Sequence, residues 1–375
     1  MENLSAVVWA FSIIGFLIAS YSIVANDAIQ TLGTFLSSNA KRPWWVLWAY
    51  AATIIVAVMG YGYFLGGQDI AFGRLNTLPY PEQGVQWYHA VPPIFLLILT
   101  RYGIPVSTTF LVLTIFALTG GANTEGVLPS MLKKSAMGYV VAIAAAFFVY
   151  LVISRFFERW VARTKEDGHH PAWFVLQWAS TAFLWSQWLM QDLANIFVFL
   201  PRTTELVPVL DDAGQPLMEN GVAVLQTQVV FSPMLLVFAT IVMLVLHAII
   251  FKTRGGEIQK IVLTKTNTTD VRAATLIDFI YGLILYYFKE LNDVPMSTTW
   301  VFLGMLAGRE IAVAYVAGLR DKLEALWDVA SDVVRAFIGL VISVILAVFL
   351  PAIARGELGV VLSDFPGYLS NILGL

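Results

Sequence analysis

Six apolar runs, near 6–25, 44–64, 136–154, 172–200, 229–251 and 333–353, dominate the hydrophobic pattern of the chain. Each is long enough for a helix to cross the roughly 30 Å hydrocarbon core of a bilayer, which takes about 20 residues. None alternates with a period of two, so a β-barrel is not expected. The first run has no basic stretch before it, carries Glu2 and continues past Asp27. It is therefore expected to remain as a mature span and not to be a signal peptide. Two further apolar segments, about 89–118 and 273–317, are interrupted by polar residues: "IPVSTTFL" at 104–111 and "VPMSTTWV" at 294–301. Both breaks read Pro-x-Ser-Thr-Thr, and each predicts a re-entrant helical hairpin that turns back within the membrane.

The breaks are one of several echoes between the two halves of the chain. "VANDAIQTLGTF" contains Asn26, Asp27 and Gln30, and "WLMQDLANIFVF" contains Gln191, Asp192 and Asn195. Both read amide-Asp-x-x-amide within an apolar run. "GGQDI" at 66–70 and "GGEI" at 255–258 form a weaker third pair ahead of Pro105 and Pro295. The chain thus predicts an all-α polytopic membrane protein of two repeats, 1–168 and 169–375, each with three membrane-spanning helices and one re-entrant hairpin. Three crossings per half invert the second repeat relative to the first. With both termini outside, inner loops hold fourteen lysines and arginines, from Lys41 and Arg42 to Arg335, against five on the outer loops. That asymmetry fits the excess of positive charge on cytoplasmic loops. The second half is longer between its Asp and Pro, and the surplus falls in the polar stretch 201–228, expected to be a loop, as is 252–271.

Composition strengthens the membrane assignment and narrows the chemistry. The chain is 58% hydrophobic and 13% charged, with a mean hydropathy of +0.76, against roughly 45–50% and 25% for soluble domains. There are no cysteines, which excludes disulfides, iron–sulfur clusters and thiolate metal sites. A net charge of −3 without a basic tract gives no nucleic-acid partner. The four histidines share no ligand spacing and are expected at interfaces or in loops. Tryptophans such as Trp44, Trp45, Trp48, Trp185 and Trp188 are expected as interface anchors.

A backbone turn inside a bilayer is tolerated only where protein or a water-filled cavity surrounds it. Proline favours the first position of a helix, so Pro105 and Pro295 are expected to start the second arm of each hairpin. Ser107, Thr108, Thr109, Ser297, Thr298 and Thr299 would then occupy first turns, whose free N–H groups and dipole attract anions. Two such termini from opposite sides could hold one anion at the midplane. Capping or back-bonding explains a single Ser-Thr-Thr equally well; its repetition favours a shared site. Asp27 and Asp192, carboxylates inside spans, mark an ion path. Asn26 and Gln30, and Gln191 and Asn195, add oxygens of the kind Na⁺ takes. Protons, which need only the aspartates, are the alternative coupling ion. Arg101 and Lys289 precede the breaks, and Arg309 with Glu310 follows the second; attracting an anion and a purely structural role are both open to them.

"ANDAIQTLGT", "QDLAN" and the two Pro-x-Ser-Thr-Thr segments resemble the inorganic phosphate transporter (PiT) family, which includes sulfate-permease relatives. The resemblance covers nearly the whole chain in order and spacing. It implies inverted repeats, outward termini and cation-coupled import of an oxyanion. Phe110 and Trp300 stand where that family has histidine, and Gln191 replaces the second-half asparagine. The expectation is therefore a cation-coupled symporter in a plasma (inner) membrane of bacterial type, with Na⁺ at Asp27 and Asp192 and phosphate on the hydroxyls. It needs no cofactor beyond the coupling ion and is no enzyme. Sulfate and bicarbonate are alternative cargoes, and a membrane enzyme acting on a phosphorylated lipid is a further alternative. Partners are the oxyanion, sodium and membrane lipid, and a homodimer is among the expected assemblies.

Overall fold

The computed structural model describes residues 5–78, 80–102, 106–119, 127–153, 156–157, 159–164, 170–209, 215–219, 222–254, 270–291, 297–318, 320–367 and 370. Helix α1 (Ala6–Ile23) continues through a π-helical turn (Val24–Ala28) into α2 (Ile29–Ser38). Then follow α3 (Trp44–Phe64), a 3₁₀ turn (Trp87–Ala90), α4 (Val91–Arg101), a π-helical turn (Thr109–Leu113), α5 (Thr114–Thr119), α6 (Val127–Ile153) and the short α7 (Arg159–Arg163). The second half comprises α8 (Ala172–Phe197), α9 (Pro233–Lys252), α10 (Val271–Leu291), α11 (Thr298–Ala312), a π-helical turn (Val313–Ala317), α12 (Lys322–Arg355) and α13 (Leu358–Ser363). Helix starts are locally encoded. Ser5 accepts from the Val8 N–H, Ser232 from Leu235 with Pro233 in the first turn, and Asp321 from Leu323 and Glu324, each satisfying donors that a helix start leaves open.

Among the described residues, six helices are long and apolar enough to cross a membrane: Ala6–Ala28, Trp44–Phe64, Leu128–Leu151, Pro233–Lys252, Val271–Phe288 and Lys322–Arg355. The chain is an all-α polytopic membrane protein. Two details differ from the expected spans. Val271–Phe288, expected as a hairpin arm, is itself of spanning length and hydropathy. Helix α8 has 26 residues but is not among the six, because Gln177, Ser180, Thr181, Gln187, Gln191, Asp192 and Asn195 give it a polar face. All seven are buried, so the face meets protein.

Packing is reciprocal between the halves. Helix α3 lies against α9; α6 of the first half lies along α11 of the second; and α12 packs on α5 and the π turn before it. Helix α10 runs along α8. The α6–α11 contact depends on Gly304 and Gly308. A Cβ on Gly304 would stand 2.6 Å from the Tyr139 carbonyl oxygen, and one on Gly308 would strike that of Ile143. This small-xxx-small spacing lets backbones meet where no hydrophobic effect drives helices together.

The stretch 201–228, expected to be a loop, contains β structure. Strand β1 (Thr203–Pro208) pairs antiparallel with β4 (Leu225–Val230), Thr203 opposite Val230, and Met218–Glu219 pairs with Val222–Ala223. Its β-branched residues at "TTELVP" and "LQTQVV" suit a pleated ribbon, and the polar content hid that signal. The hairpin docks on the 66–78 loop of the first half. Gln228 Nε2 donates to the carbonyls of Gly66 (2.9 Å) and Gly67 (3.1 Å), Phe231 N–H to Gln68 O, and Val229 N–H to Asn76 Oδ1. Gly67 has φ +68° and no room for a Cβ beside Gln228, so only glycine serves there. Arg202 adds a bond to the Leu78 carbonyl at 2.6 Å and lies over the Tyr80 ring. Burial lowers its guanidinium to about 10, still cationic at neutral pH. Asp69 caps the Ala71 and Gly73 N–H groups, and burial raises its carboxyl above the ordinary value.

Some expected surface residues lie inside. Trp185 and Trp188 are fully buried and stacked 4.8 Å apart, and the Trp185 indole donates to Ala51 O; Trp45 remains exposed. His247 is buried within α9 and bonds through Nδ1 to the Met243 carbonyl one turn back. His89 is buried in the 3₁₀ turn and bonds to Thr119 Oγ1. Hydrogen bonds at the His89 ring make its burial tolerable, whereas His247 Nε2 has no partner among the described residues.

Candidate functional site

The repeated motifs meet. Asp27 sits in the π-helical turn between α1 and α2, and Asp192 in the last two turns of α8; both are buried. One oxygen of Asp27 accepts from Asn26 Nδ2 (2.6 Å) and the other from Thr108 Oγ1 of the first Ser-Thr-Thr break (2.7 Å). Asp192 repeats this with second-half residues: Oδ1 accepts from Asn195 Nδ2 (2.7 Å) and Oδ2 from Thr298 Oγ1 of the second Ser-Thr-Thr break (2.5 Å). Asn195 also reaches Thr108 and Thr109, each at 3.2 Å, so a second-half helix grips the first-half hairpin. The carboxylates are close enough to repel each other, and buried Arg74 attracts Asp192.

Ser107 and Ser297 have local partners: their Oγ atoms accept from the N–H groups of Phe110 (3.2 Å) and Trp300 (3.1 Å). This is N-capping, the alternative the sequence left open. Thr299, also buried, has a hydroxyl without a partner among the described residues. Pro105 and Pro295, expected to start the second arms, lie outside the described residues, as do 255–269 and the Lys289 side chain. Gln30 is partly exposed and takes no part in this network among the described residues. Arg101 faces outward, and Arg309 pairs with Glu310, which also binds Arg320. Phe110 and Trp300 meet as tilted rings with centroids 5.4 Å apart, joining the two Ser-Thr-Thr breaks.

The halves are chemically unequal. In the first, Asn26 is satisfied on both sides, since its Oδ1 accepts from Thr100 Oγ1 at 3.1 Å. In the second, Gln191 Oε1 and Asn195 Oδ1 are buried acceptors without donors among the described residues. Gln191 and Asn195 are four apart on one helix and share a face. The Asn195 amide cannot be reversed without turning its oxygen onto the Asp192 carboxylate. Two orphaned oxygens beside a carboxylate suit a hard cation; an orphaned hydroxyl suits a ligand that accepts.

No known family profile matches the sequence, and no curated protein does. Among solved structures, one described as "the sodium-dependent phosphate transporter" superposes with a TM-score of 0.56 at 15% identity, covering 94% of this chain and 99% of the other. The chain shares that transporter's fold.

Proposed function

We propose that the protein is a sodium-coupled symporter that imports an inorganic oxyanion, phosphate first, by alternating access. The supporting observation is that each buried aspartate holds the hydroxyl of its own half's Ser-Thr-Thr break, Thr108 on Asp27 and Thr298 on Asp192. A cation landing on the carboxylate and on the vacant oxygens of Gln191 and Asn195 would compete for the lone pairs those hydroxyls now occupy. The released O–H groups could turn to an anion. Ser107 and Ser297 spend lone pairs on capping and keep their own hydrogens to donate. Cation loading would thus prepare the anion site, which is what symport requires. The two halves, taken as inverted repeats with the Arg42 end inside, would rock about this centre. The similar structure is that of a sodium-dependent phosphate transporter, which supports sodium and phosphate as the pair to test first.

Uptake of labelled phosphate, sulfate and bicarbonate into proteoliposomes, each with and without an inward sodium gradient, tests the reading. The expected result is phosphate uptake that needs sodium. Uptake unaffected by sodium, or of sulfate or bicarbonate in preference, would replace the ion or the cargo.

A further inference from the structure

Asp278 belongs to no repeated motif, and it stands apart from the paired hairpins. It lies in α10 within the span Val271–Phe288 and is fully buried. Thr34 Oγ1 of α2 donates to its Oδ1 and Thr181 Oγ1 of α8 to its Oδ2 at 2.6 Å, with the Gln177 side chain beside them. No lysine, arginine or histidine pairs with it among the described residues. From α3, Tyr50 faces the site, its hydroxyl donating to the Trp178 carbonyl. The other charge in reach is Arg42, which is exposed and held one residue away: its Nε donates to Asn39 Oδ1 at 3.2 Å. Helices α2 and α8 contribute only hydroxyls and amides. From Arg42 a line of hydrogen bonds runs inward. Asn39 Nδ2 donates to Gln177 Oε1 (3.0 Å), Gln177 Nε2 to Thr181 Oγ1 (3.0 Å), and Thr181 to Asp278.

A buried carboxylate without a cationic partner is costly inside a membrane, so something must neutralise it. The hydrogen-bond inventory separates the choices. Beside Asp192, two acceptor oxygens are vacant; around Asp278 none is, since Asn39, Gln177, Thr181 and Thr34 all have partners and none retains an orphaned atom. A metal cation would have to break several of these bonds to gather ligands. A proton needs one hydroxyl to turn.

We propose that Asp278 is a proton-binding site on the Arg42 side of the protein, held in place by the Asn39–Gln177–Thr181 line and separate from the cation site at the Ser-Thr-Thr breaks. On binding, a proton from water forms an O–H bond at Asp278 Oδ1. The Thr34 hydroxyl ceases to donate there, accepts instead, and turns its own hydrogen to a carbonyl one turn back in its helix, a bond threonine makes readily. Loss of the proton reverses both changes. The ionised form ties α2 of the first half to α8 and α10 of the second; the neutral form slackens that tie. Read with the proposed transport cycle, protons at this end favour separation of the halves there.

Infrared difference spectra of the full chain in lipid nanodiscs, recorded across a pH series without sodium, report the C=O stretch of a protonated carboxyl and need no transport. A titrating band is expected in the wild type and in Asp192→Asn, and its absence in Asp278→Asn. A band unchanged in Asp278→Asn overturns the assignment, and a band removed by sodium at constant pH makes the site a metal site instead. If Asp278→Asn does not fold, Thr34→Val decides. It deletes a donor to the charged form and should raise the midpoint of the band by about one pH unit; an unmoved midpoint overturns the proposal. Sodium-dependent phosphate uptake can persist in any of these outcomes, so failure here leaves the transport reading standing.

Discussion

Threonine 298 makes one hydrogen bond to a buried carboxylate, and that bond sets the scale of what its removal should do. Losing a hydrogen bond to a charged group costs about 1.5–3 kcal/mol, roughly 10- to 100-fold in affinity. Thr298→Ala is therefore expected to weaken phosphate affinity by that factor in equilibrium binding, and Thr108→Ala likewise; an effect confined to one of the two would show that the hairpins do not share a ligand. The aspartates differ in their surroundings. Asp192 has vacant amide oxygens beside it and Asp27 does not, so Asp192→Asn should abolish sodium binding measured calorimetrically without phosphate. Asp27→Asn should reduce it less. Equal losses would mean that the inequality of the halves has no bearing on the cation.

At the scale of elements, glycine spacing decides whether α6 and α11 can meet. Gly308→Leu is expected to lower the thermal unfolding midpoint in detergent, because overpacking costs about 1–3 kcal/mol and here the obstruction is backbone. Gly359→Leu, which opens onto free space, should leave the midpoint unchanged. Hydrophobic run length made five of the six spans legible from sequence, and repetition made Asp27, Asp192 and the two breaks stand out. Other features carried no such mark. Asp278 lies in "LIDFIY" with no amide beside it and no counterpart in the other half; its partners Thr34, Gln177 and Thr181 come from two other helices, so only folding assembles the cluster. Arg74, one of the five basic residues assigned to outer loops, likewise gave no sign of lying buried near Asp192. Trp185 and Trp188 were misplaced because indole suits both an interface and a core, and sequence does not state which neighbours the ring will have. The β-hairpin went unread because strands of six residues give a weak period beside helices of twenty.

For the whole molecule, the lysine and arginine asymmetry makes a prediction about sidedness, and the absence of cysteines makes its measurement clean. Met218→Cys, exposed on the β-hairpin, should react with an impermeant thiol reagent added to intact cells. Arg163→Cys, exposed in α7, should react only after the membrane is opened. The opposite pattern would invert the proposed orientation and move the Arg42 end to the outside. The reciprocal packing of the halves bears on how the chain is made. Helix α6 leaves the ribosome well before α11, the helix that fills the groove above Tyr139 and Ile143, and α5 likewise precedes α12. During synthesis the first half must therefore wait in the membrane with its closest-packing surfaces against lipid and its polar hairpin unmatched. A chain cut between α7 and α8 should yield two fragments that are each degraded when expressed alone and recovered when expressed together, because each supplies the other's missing wall.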